Sequence, residues 1–92
     1  MPRYKIIYPE SYIRRARKFL TRHPELLRQY QKTLELLELN PSHPSLRLHP
    51  LHGRLHGLHS VSINISYRVT IELIVAESEI IMVNIGSHEE VY

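Results

Sequence analysis

The chain has 92 residues, of which 42% are apolar and 23% are charged, and this composition is typical of a soluble globular protein. A chain of this length supports one modest hydrophobic core, so we expect a single domain over 1–92. The lack of cysteine excludes a disulfide framework and a thiolate site. No apolar run is long enough for a membrane span, and the first residues do not resemble a signal peptide, so we expect a cytoplasmic protein.

The basic residues are concentrated in the first part of the chain. Residues 1–56 carry eleven Lys and Arg against four Glu, whereas residues 57–92 carry one Arg against five Glu. A basic half is typical of a surface that meets phosphate groups or an acidic partner. The alternative for any single basic cluster is an ordinary solvated helix face.

Hydrophobic periodicity predicts a strand followed by two helices. Apolar and aromatic residues over 4–8 indicate a first strand, and a helical stripe follows over 10–22. Pro24 and Glu25 form a helix-start signal, because proline is favoured at the first helical position and glutamate interacts with the positive end of the helix dipole. A second helix is therefore predicted over 24–39, and the two helices form an αα-hairpin.

The second half of the chain predicts a loop and three antiparallel strands. Residues 40–57 are rich in proline, glycine and histidine, which indicates a loop, with a short extended piece at 46–48. Alternation with a period of two then predicts strands over 59–65 and 67–75, and a last apolar strand covers 80–85.

This order predicts an α+β fold in which an antiparallel sheet carries the αα-hairpin on one face. The other face is expected to be open, and the histidine loop and the end of the chain should border it as a groove. This open face should carry five polar side chains: Ser60, Ser62, Arg68, Thr70 and Glu72.

Four histidines lie in or just after the predicted loop: His49, His52, His56 and His59. Their spacing would align them on a helix and suit a metal ion, but the proline and glycines between them disfavour a helix. A contact with nucleic acid or an acid–base role is favoured, because histidine titrates near neutrality and can accept or donate a proton. Solvated loop histidines are the alternative, and no metal or other cofactor is expected.

Arg68 is the only cation after residue 57 and lies inside an otherwise apolar strand pattern. One interpretation is a phosphate ligand on the open face, since a guanidinium group presents a fork of donors. The other is an outward-facing arginine that pairs with a glutamate such as Glu72. A phosphodiester is cut through the ribose 2′-OH by a base, an acid and cations that stabilise the developing charge. The groups able to supply this set are Arg54, Arg68, His49, His88 and Tyr92.

Three segments match motifs of one known family. Residues 48–57 resemble an hPLxGxxxG loop, residues 60–69 resemble an SxRIxxxYRV strand pair, and residues 85–92 resemble an IGxHxEVY tail. The three motifs belong to the RelE/ParE superfamily of bacterial toxins, and the branches most similar to this chain are the YafQ-like and RelE/StbE-like toxins. Because the motifs occur in the family's order, the resemblance covers nearly the whole chain.

The resemblance implies a RelE-like fold and a toxin of a type II toxin–antitoxin system. It further implies an mRNA interferase, a ribosome-dependent endoribonuclease that cuts mRNA in the A site without a metal. By position, His49 and His88 match acid–base residues, Arg68 matches the ligand of the scissile phosphate, and Tyr92 matches a catalytic or stacking aromatic. The residues that would bind RNA are Arg54, His52, His56 and His59.

The implied partners are the ribosome with its mRNA and a cognate antitoxin, in a hetero-oligomer that also binds operator DNA. The antitoxin is expected to meet the basic residues of the first helix: Arg14, Arg15, Lys18 and Arg22. The chain departs from the YafQ-like pattern at Ser62 and Ser66, where those toxins have histidine and aspartate. Two other functions stay open, namely a ParE-like inhibitor of DNA gyrase and a non-catalytic module that binds antitoxin and DNA.

Overall fold

The computed structural model describes residues 3–87. These residues form two α-helices and five β-strands, whose bounds are β1 Lys5–Ile7, α1 Glu10–Arg22, α2 Leu27–Leu39, β2 His49–Pro50, β3 His59–Ser62, β4 Tyr67–Ile74 and β5 Glu79–Ser87. Four short 3₁₀ turns lie between them, at Pro24–Leu26, Pro44–Leu46, Gly53–Leu55 and Val75–Glu77. The predicted α+β class is confirmed, as is the order of a strand, two helices and three antiparallel strands, but the short strand β2 adds a fourth strand after the helices.

The strands form one mixed sheet in the order β1-β5-β4-β3-β2. The three strands of the second half are antiparallel, as the sequence predicts, but β1 pairs in parallel with β5, with Lys5 opposite Glu79. The extended piece of the histidine loop lies at 49–50 instead of 46–48, and it pairs with β3 as the short strand β2. Periodicity does not report this pairing, because a two-residue strand is too short to show alternation.

Both helices contribute to one hydrophobic core with the same face of the sheet. The fully buried members of this core include Tyr12 of α1, Leu37 of α2, and Val61, Val69, Ile71 and Ile80 of the sheet. Side chains alternate between the two faces of a strand, so the residues between these apolar positions face away from the helices. The polar set of the sheet therefore lies on the face opposite the αα-hairpin.

Two contacts tie the helices to their surroundings. The hydroxyl oxygens of Tyr12 and Tyr30 lie 2.8 Å apart and join α1 to α2 in the interior. At the end of α1, the ring of His23 packs against Phe19 and Tyr67, with centroids 4.6 and 4.9 Å away. The end of α1 is thereby fixed against the start of β4.

The N-terminal strand is held by backbone hydrogen bonds at both of its sides. The N–H of Tyr4 donates to the carbonyl of Glu38 at 2.9 Å, and the N–H of Lys5 donates to that of Ser78 at 2.8 Å. Within residues 3–87, neither helix is long and apolar enough to cross a membrane.

Candidate active site

A row of polar residues crosses the sheet on the face opposite the helices. His49 of β2 pairs with Ser60 of β3, Ser60 pairs with Thr70 of β4, and Thr70 pairs with Asn84 of β5. Directly paired residues place their side chains on the same face of a sheet. The pairing therefore connects the loop histidine to the centre of the sheet through hydroxyl groups.

Arg68 belongs to the next row on the same face. It lies two residues before Thr70 on β4, and its cross-strand neighbours are Ser62 on β3 and Gly86 on β5. Gly86 contributes no side chain beside the guanidinium group. The structure therefore brings His49 and Arg68 to one face, where β3 separates their strands.

His49 is oriented by the backbone. Its Nδ1 lies 3.1 Å from the carbonyl oxygen of Arg47, and a ring nitrogen this close to a carbonyl is the donor. In the neutral ring Nε2 then carries the lone pair, which makes Nε2 the basic nitrogen. The carbonyl is presented by an unusual backbone conformation, because Arg47 follows the Pro44–Leu46 turn in the left-handed region, with φ 50° and ψ 46°.

Three polar atoms on this face are buried without a hydrogen-bond partner in the part of the chain that the structure describes. They are the Oγ of Ser60, the Oγ1 of Thr70 and the Nη1 of Arg68. A buried unsatisfied group costs about 1–3 kcal/mol, and more when it is charged. Native structures carry few such groups, so each one requires an explanation, such as a ligand or a catalytic role.

The expected open face is only partly open. Ser60 and Thr70 are almost fully buried, at 0% and 1% exposure, whereas Glu72 is exposed and Arg68 is partly buried. The centre of this face is therefore covered, whereas the alternation of polar residues predicts that it is open. Within residues 3–87 Arg68 forms no ion pair, so the expected partnership with Glu72 is not observed.

The loop that carries the remaining predicted RNA-binding residues is closed on itself. The N–H of Leu51 donates to the carbonyl of Leu58 at 2.9 Å. Gly53 and Gly57 adopt φ of 67° and 95°, values that residues other than glycine rarely adopt. This closed loop exposes His52, Arg54 and His56 to solvent.

His59 is separated from the other histidines. It pairs with Ile71, on the helix-covered face, whereas His49 pairs with Ser60 on the opposite face. The Nδ1 of His59 is buried and has no hydrogen-bond partner within 3–87. Sequence spacing groups these histidines, but the strand pairing places His59 away from the face that holds His49 and Arg68.

The basic residues of α1 form a second surface, beside β5. Arg15, Lys18 and Arg22 line a cavity of about 290 Å³ beside Asn84 of β5. The Nη1 of Arg15 donates to the carbonyl of Val83 at 3.3 Å. Arg14, which the sequence groups with them, is exposed but does not line this cavity.

Two of the predicted catalytic residues, His88 and Tyr92, lie outside the described residues. Within residues 3–87 no cluster of three or more His, Asp or Glu side chains is arranged to hold a metal ion. Sequence reasoning missed Arg47 as the residue that orients His49. No signal marks it, because left-handed backbone is usually announced by glycine or asparagine and not by arginine.

The whole described architecture is shared with solved toxin structures. YafQ from E. coli superposes with a TM-score of 0.79 at 14% identity, and the match covers 97% of this chain and 98% of YafQ. A metal-bound toxin from Helicobacter pylori matches with a TM-score of 0.75 at 21% identity, over 97% of this chain and 99% of that chain. The E. coli DinJ–YafQ toxin–antitoxin complex matches with a TM-score of 0.76 at 16% identity and 97% coverage of both chains.

The chain has the RelE-like toxin fold. No protein-family model and no curated protein sequence matches the chain. The structural matches at 14–21% identity therefore show the fold of the chain. Within this fold, His49 lies on the edge strand β2, and Arg68 lies on β4, near the middle of the antiparallel strands.

Proposed function

We propose that the protein is the toxin of a type II toxin–antitoxin system and acts as a ribosome-dependent endoribonuclease on mRNA. Its fold and its three sequence motifs support this proposal. The observation that carries it is the Nη1 of Arg68, which lies on the same face as His49 and is buried without a hydrogen-bond partner among residues 3–87. A buried guanidinium nitrogen that lacks a partner is suited to an anion, and a phosphodiester supplies one.

The proposed cleavage reaction uses the side chains of His49 and Arg68. His49 Nε2 accepts the proton of the ribose 2′-OH, whose oxygen attacks the adjacent phosphorus. Arg68 stabilises the negative charge that develops on the phosphate oxygens. The bond to the 5′ oxygen breaks, and the leaving oxygen takes a proton from an acid, the role that the sequence motif gives to His88. The products are a 2′,3′-cyclic phosphate and a 5′-hydroxyl.

The spacing of the sheet is compatible with this assignment. His49 and Arg68 lie two strands apart and are offset by two residues along the strands, so their backbones are roughly 12 Å apart. Side chains that converge from this separation can contact a phosphate group between them. Tyr92 is proposed as the aromatic residue that stacks on a base or takes part in the cleavage reaction.

Binding of RNA is proposed for the exposed residues of the closed loop, His52, Arg54 and His56. The exposure of these three side chains allows contact with backbone phosphates and bases. His59, the fourth residue of the predicted set, pairs with Ile71 on the helix-covered face and is not part of this surface. We place this loop on the ribosome side of the cleavage site.

The antitoxin is proposed to bind the basic surface of α1. Three of its four expected residues, Arg15, Lys18 and Arg22, line one cavity and present a concentrated positive charge to an acidic segment. Arg14 would extend this surface along the helix. The resulting complex is proposed to bind operator DNA, with the protein in the cytoplasm and residues 1–92 folded as one domain.

The proposal is tested by expression of the toxin alone and by cleavage on programmed ribosomes. We expect growth arrest in which translation falls before DNA synthesis, and cleavage of mRNA that requires His49. Gyrase-linked DNA breaks with intact mRNA would instead assign the gyrase function. Normal growth with tight antitoxin binding would assign the non-catalytic function.

A further inference from the structure

A groove continues from the candidate active site across the edge of β3. It consists of two adjoining clefts of about 300 and 370 Å³. Both clefts are lined by Gln29, Ser45, Ser62 and Ile63. Because Ser62 pairs directly with Arg68, the groove begins next to the proposed phosphate ligand. It then runs between α2 and the segment that precedes β2.

The charged side chains of this groove are basic. Lys32 lines one cleft and Arg47 lines the other, and neither cleft is lined by Asp or Glu. Arg47 is exposed and forms no ion pair within the described residues 3–87. A groove with this charge attracts a polyanion, and its position beside Arg68 favours the strand that contains the scissile phosphate.

Arg47 also connects the groove to the candidate base. Its carbonyl accepts the hydrogen bond from His49 Nδ1 at 3.1 Å, while its side chain lines the groove. The same residue therefore orients His49 through the backbone and presents a cation through the side chain. A strand of RNA held by Arg47 would lie in a fixed relation to the His49 ring.

The far end of the groove carries an exposed apolar side chain. Ile65 is 89% exposed, and it lines the larger cleft in the turn between β3 and β4. The Oδ1 of Asn64 accepts from the N–H groups of Ser66 and Tyr67 at 2.8 and 2.9 Å, and the Oγ of Ser62 donates to the Asn64 carbonyl at 2.7 Å. These bonds stabilise the backbone of the turn that carries Ile65.

We propose that this groove binds the single-stranded RNA that continues from the scissile phosphate. Arg47 and Lys32 contact backbone phosphates, and Ile65 packs against the face of a base. The inference rests on the proposed function for the position of the scissile phosphate. It adds a substrate-binding track that the three sequence motifs do not include.

The test is equilibrium binding of RNA that carries 2′-O-methyl groups and therefore cannot be cut through the 2′ oxygen. Two lengths are compared, about 4 nucleotides and about 12 nucleotides, which lie at the lower limit and well inside the range of site sizes for single strands. Arg47→Gln and Lys32→Gln are the groove variants, and Arg68→Gln is the variant at the cleavage site. Lys5→Gln is the matched control, because Lys5 is exposed on β1 at the opposite edge of the sheet.

For the longer RNA, Arg47→Gln should lower the affinity about tenfold and reduce the salt slope of binding by about 0.7, the value for one lost phosphate contact on a single strand. The affinity for the shorter RNA should not change. Arg68→Gln should weaken both lengths, and Lys5→Gln should weaken neither. Ile65→Ser should weaken the longer RNA about threefold to tenfold without a change in salt slope, whereas the exposed Val75→Ser should have no effect.

An unchanged salt slope in both groove variants would overturn the inference, as would wild-type protein that binds the two lengths equally. Loss of antitoxin binding in Ile65→Ser with full RNA affinity would also overturn it and assign the surface to a protein partner. If the slope changes as stated while ribosome-dependent cleavage is absent, the proposed catalytic function fails and the RNA groove stands.

Discussion

The hydroxyl groups of Tyr12 and Tyr30 form a hydrogen bond of 2.8 Å inside the core, at residues that are 1% and 7% exposed. Burial raises the pKa of both phenols, although for Tyr30 the bond with Tyr12 partly offsets the effect. The pair is the polar connection between α1 and α2 within an otherwise apolar cluster. It governs both the stability of the αα-hairpin and its response to alkali.

Removal of one hydroxyl should destabilise the protein by leaving the other without its partner. Tyr12→Phe should lower the free energy of unfolding by about 1–2 kcal/mol in urea at neutral pH. The double variant Tyr12→Phe/Tyr30→Phe should lose less than the sum of the two single changes, because no unsatisfied group is then left. Tyr8→Phe, at a residue that is 41% exposed, is the control. Additive losses in the double variant would contradict this account.

The same pair predicts sensitivity to high pH. The unfolded chain ionises its tyrosines near their ordinary pKa of about 10, whereas the folded pKa values of Tyr12 and Tyr30 are raised. The stabilisation is therefore fully present below pH about 10 and is lost as the pH rises above that value. Urea unfolding between pH about 8 and about 11 should show this decrease, and Tyr12→Phe should reduce its slope. A stability that stays constant through this range would be inconsistent with the buried pair.

Arg68 should be costly for stability and necessary for activity. Arg68→Gln should reduce mRNA cleavage on ribosomes at least about 100-fold, the scale of one lost donor to a developing oxyanion. The free energy of unfolding should stay within about 0.5 kcal/mol of wild type or increase, because an unsatisfied buried nitrogen is removed. Glu72→Gln, an exposed position on the same face, should retain cleavage. Full activity of Arg68→Gln would refute the phosphate role.

Variants of His49 and His52 should distinguish an effect on the cleavage rate from an effect on ribosome binding. Under single-turnover conditions with saturating ribosomes, His49→Ala should lower the cleavage rate by about 10²–10⁴, the contribution of a general base. His52→Ala removes an exposed loop side chain and should weaken ribosome binding while the rate at saturation stays near wild type. Equal effects of the two changes on the saturated rate would show that His49 does not act as the base.

Cleavage should persist in the presence of a chelator once the magnesium of the ribosome is controlled. The strand register sends His59 to the face opposite His49, so the four histidines of the loop region do not converge on one point. A purified protein that carries about one equivalent of zinc, and loses activity when the zinc is removed, would show that these residues form a metal site after all.

The helices were predictable because their amphipathic pattern matches their packing. The first helix spans Glu10–Arg22, as the stripe predicts, whereas α2 begins at Leu27 because Pro24–Leu26 adopts a 3₁₀ turn. Proline at the start of a helix suits either geometry, so the sequence does not distinguish a first α-turn from a 3₁₀ turn.

The polar face of the sheet shows what the alternation of polar and apolar residues cannot predict. Arg68, Ser60 and Thr70 were expected on an open surface, and they do share one face, but two of them are buried. Alternation reports which side of a strand a residue occupies. It does not report whether that side is covered, because coverage depends on segments that are distant in sequence.

The candidate site was only partly predictable for a similar reason. His49 and Arg68 were identified from residue chemistry and motif position, and the strand pairing brings them to the same face. The left-handed conformation of Arg47 and the groove beyond Ser62 arise from how the loop packs on α2 and β3. No local pattern encodes such packing between separate segments.

The parallel pairing of β1 with β5 has a consequence for how the chain assembles. Residues 5–7 find their partners only at 79–81, so the edge of β5 cannot be covered until nearly all of the described chain is available. Until then that edge presents unpaired backbone groups to other molecules. Any change that delays docking of the N-terminal strand therefore gives neighbouring chains more time to pair with β5 and to aggregate.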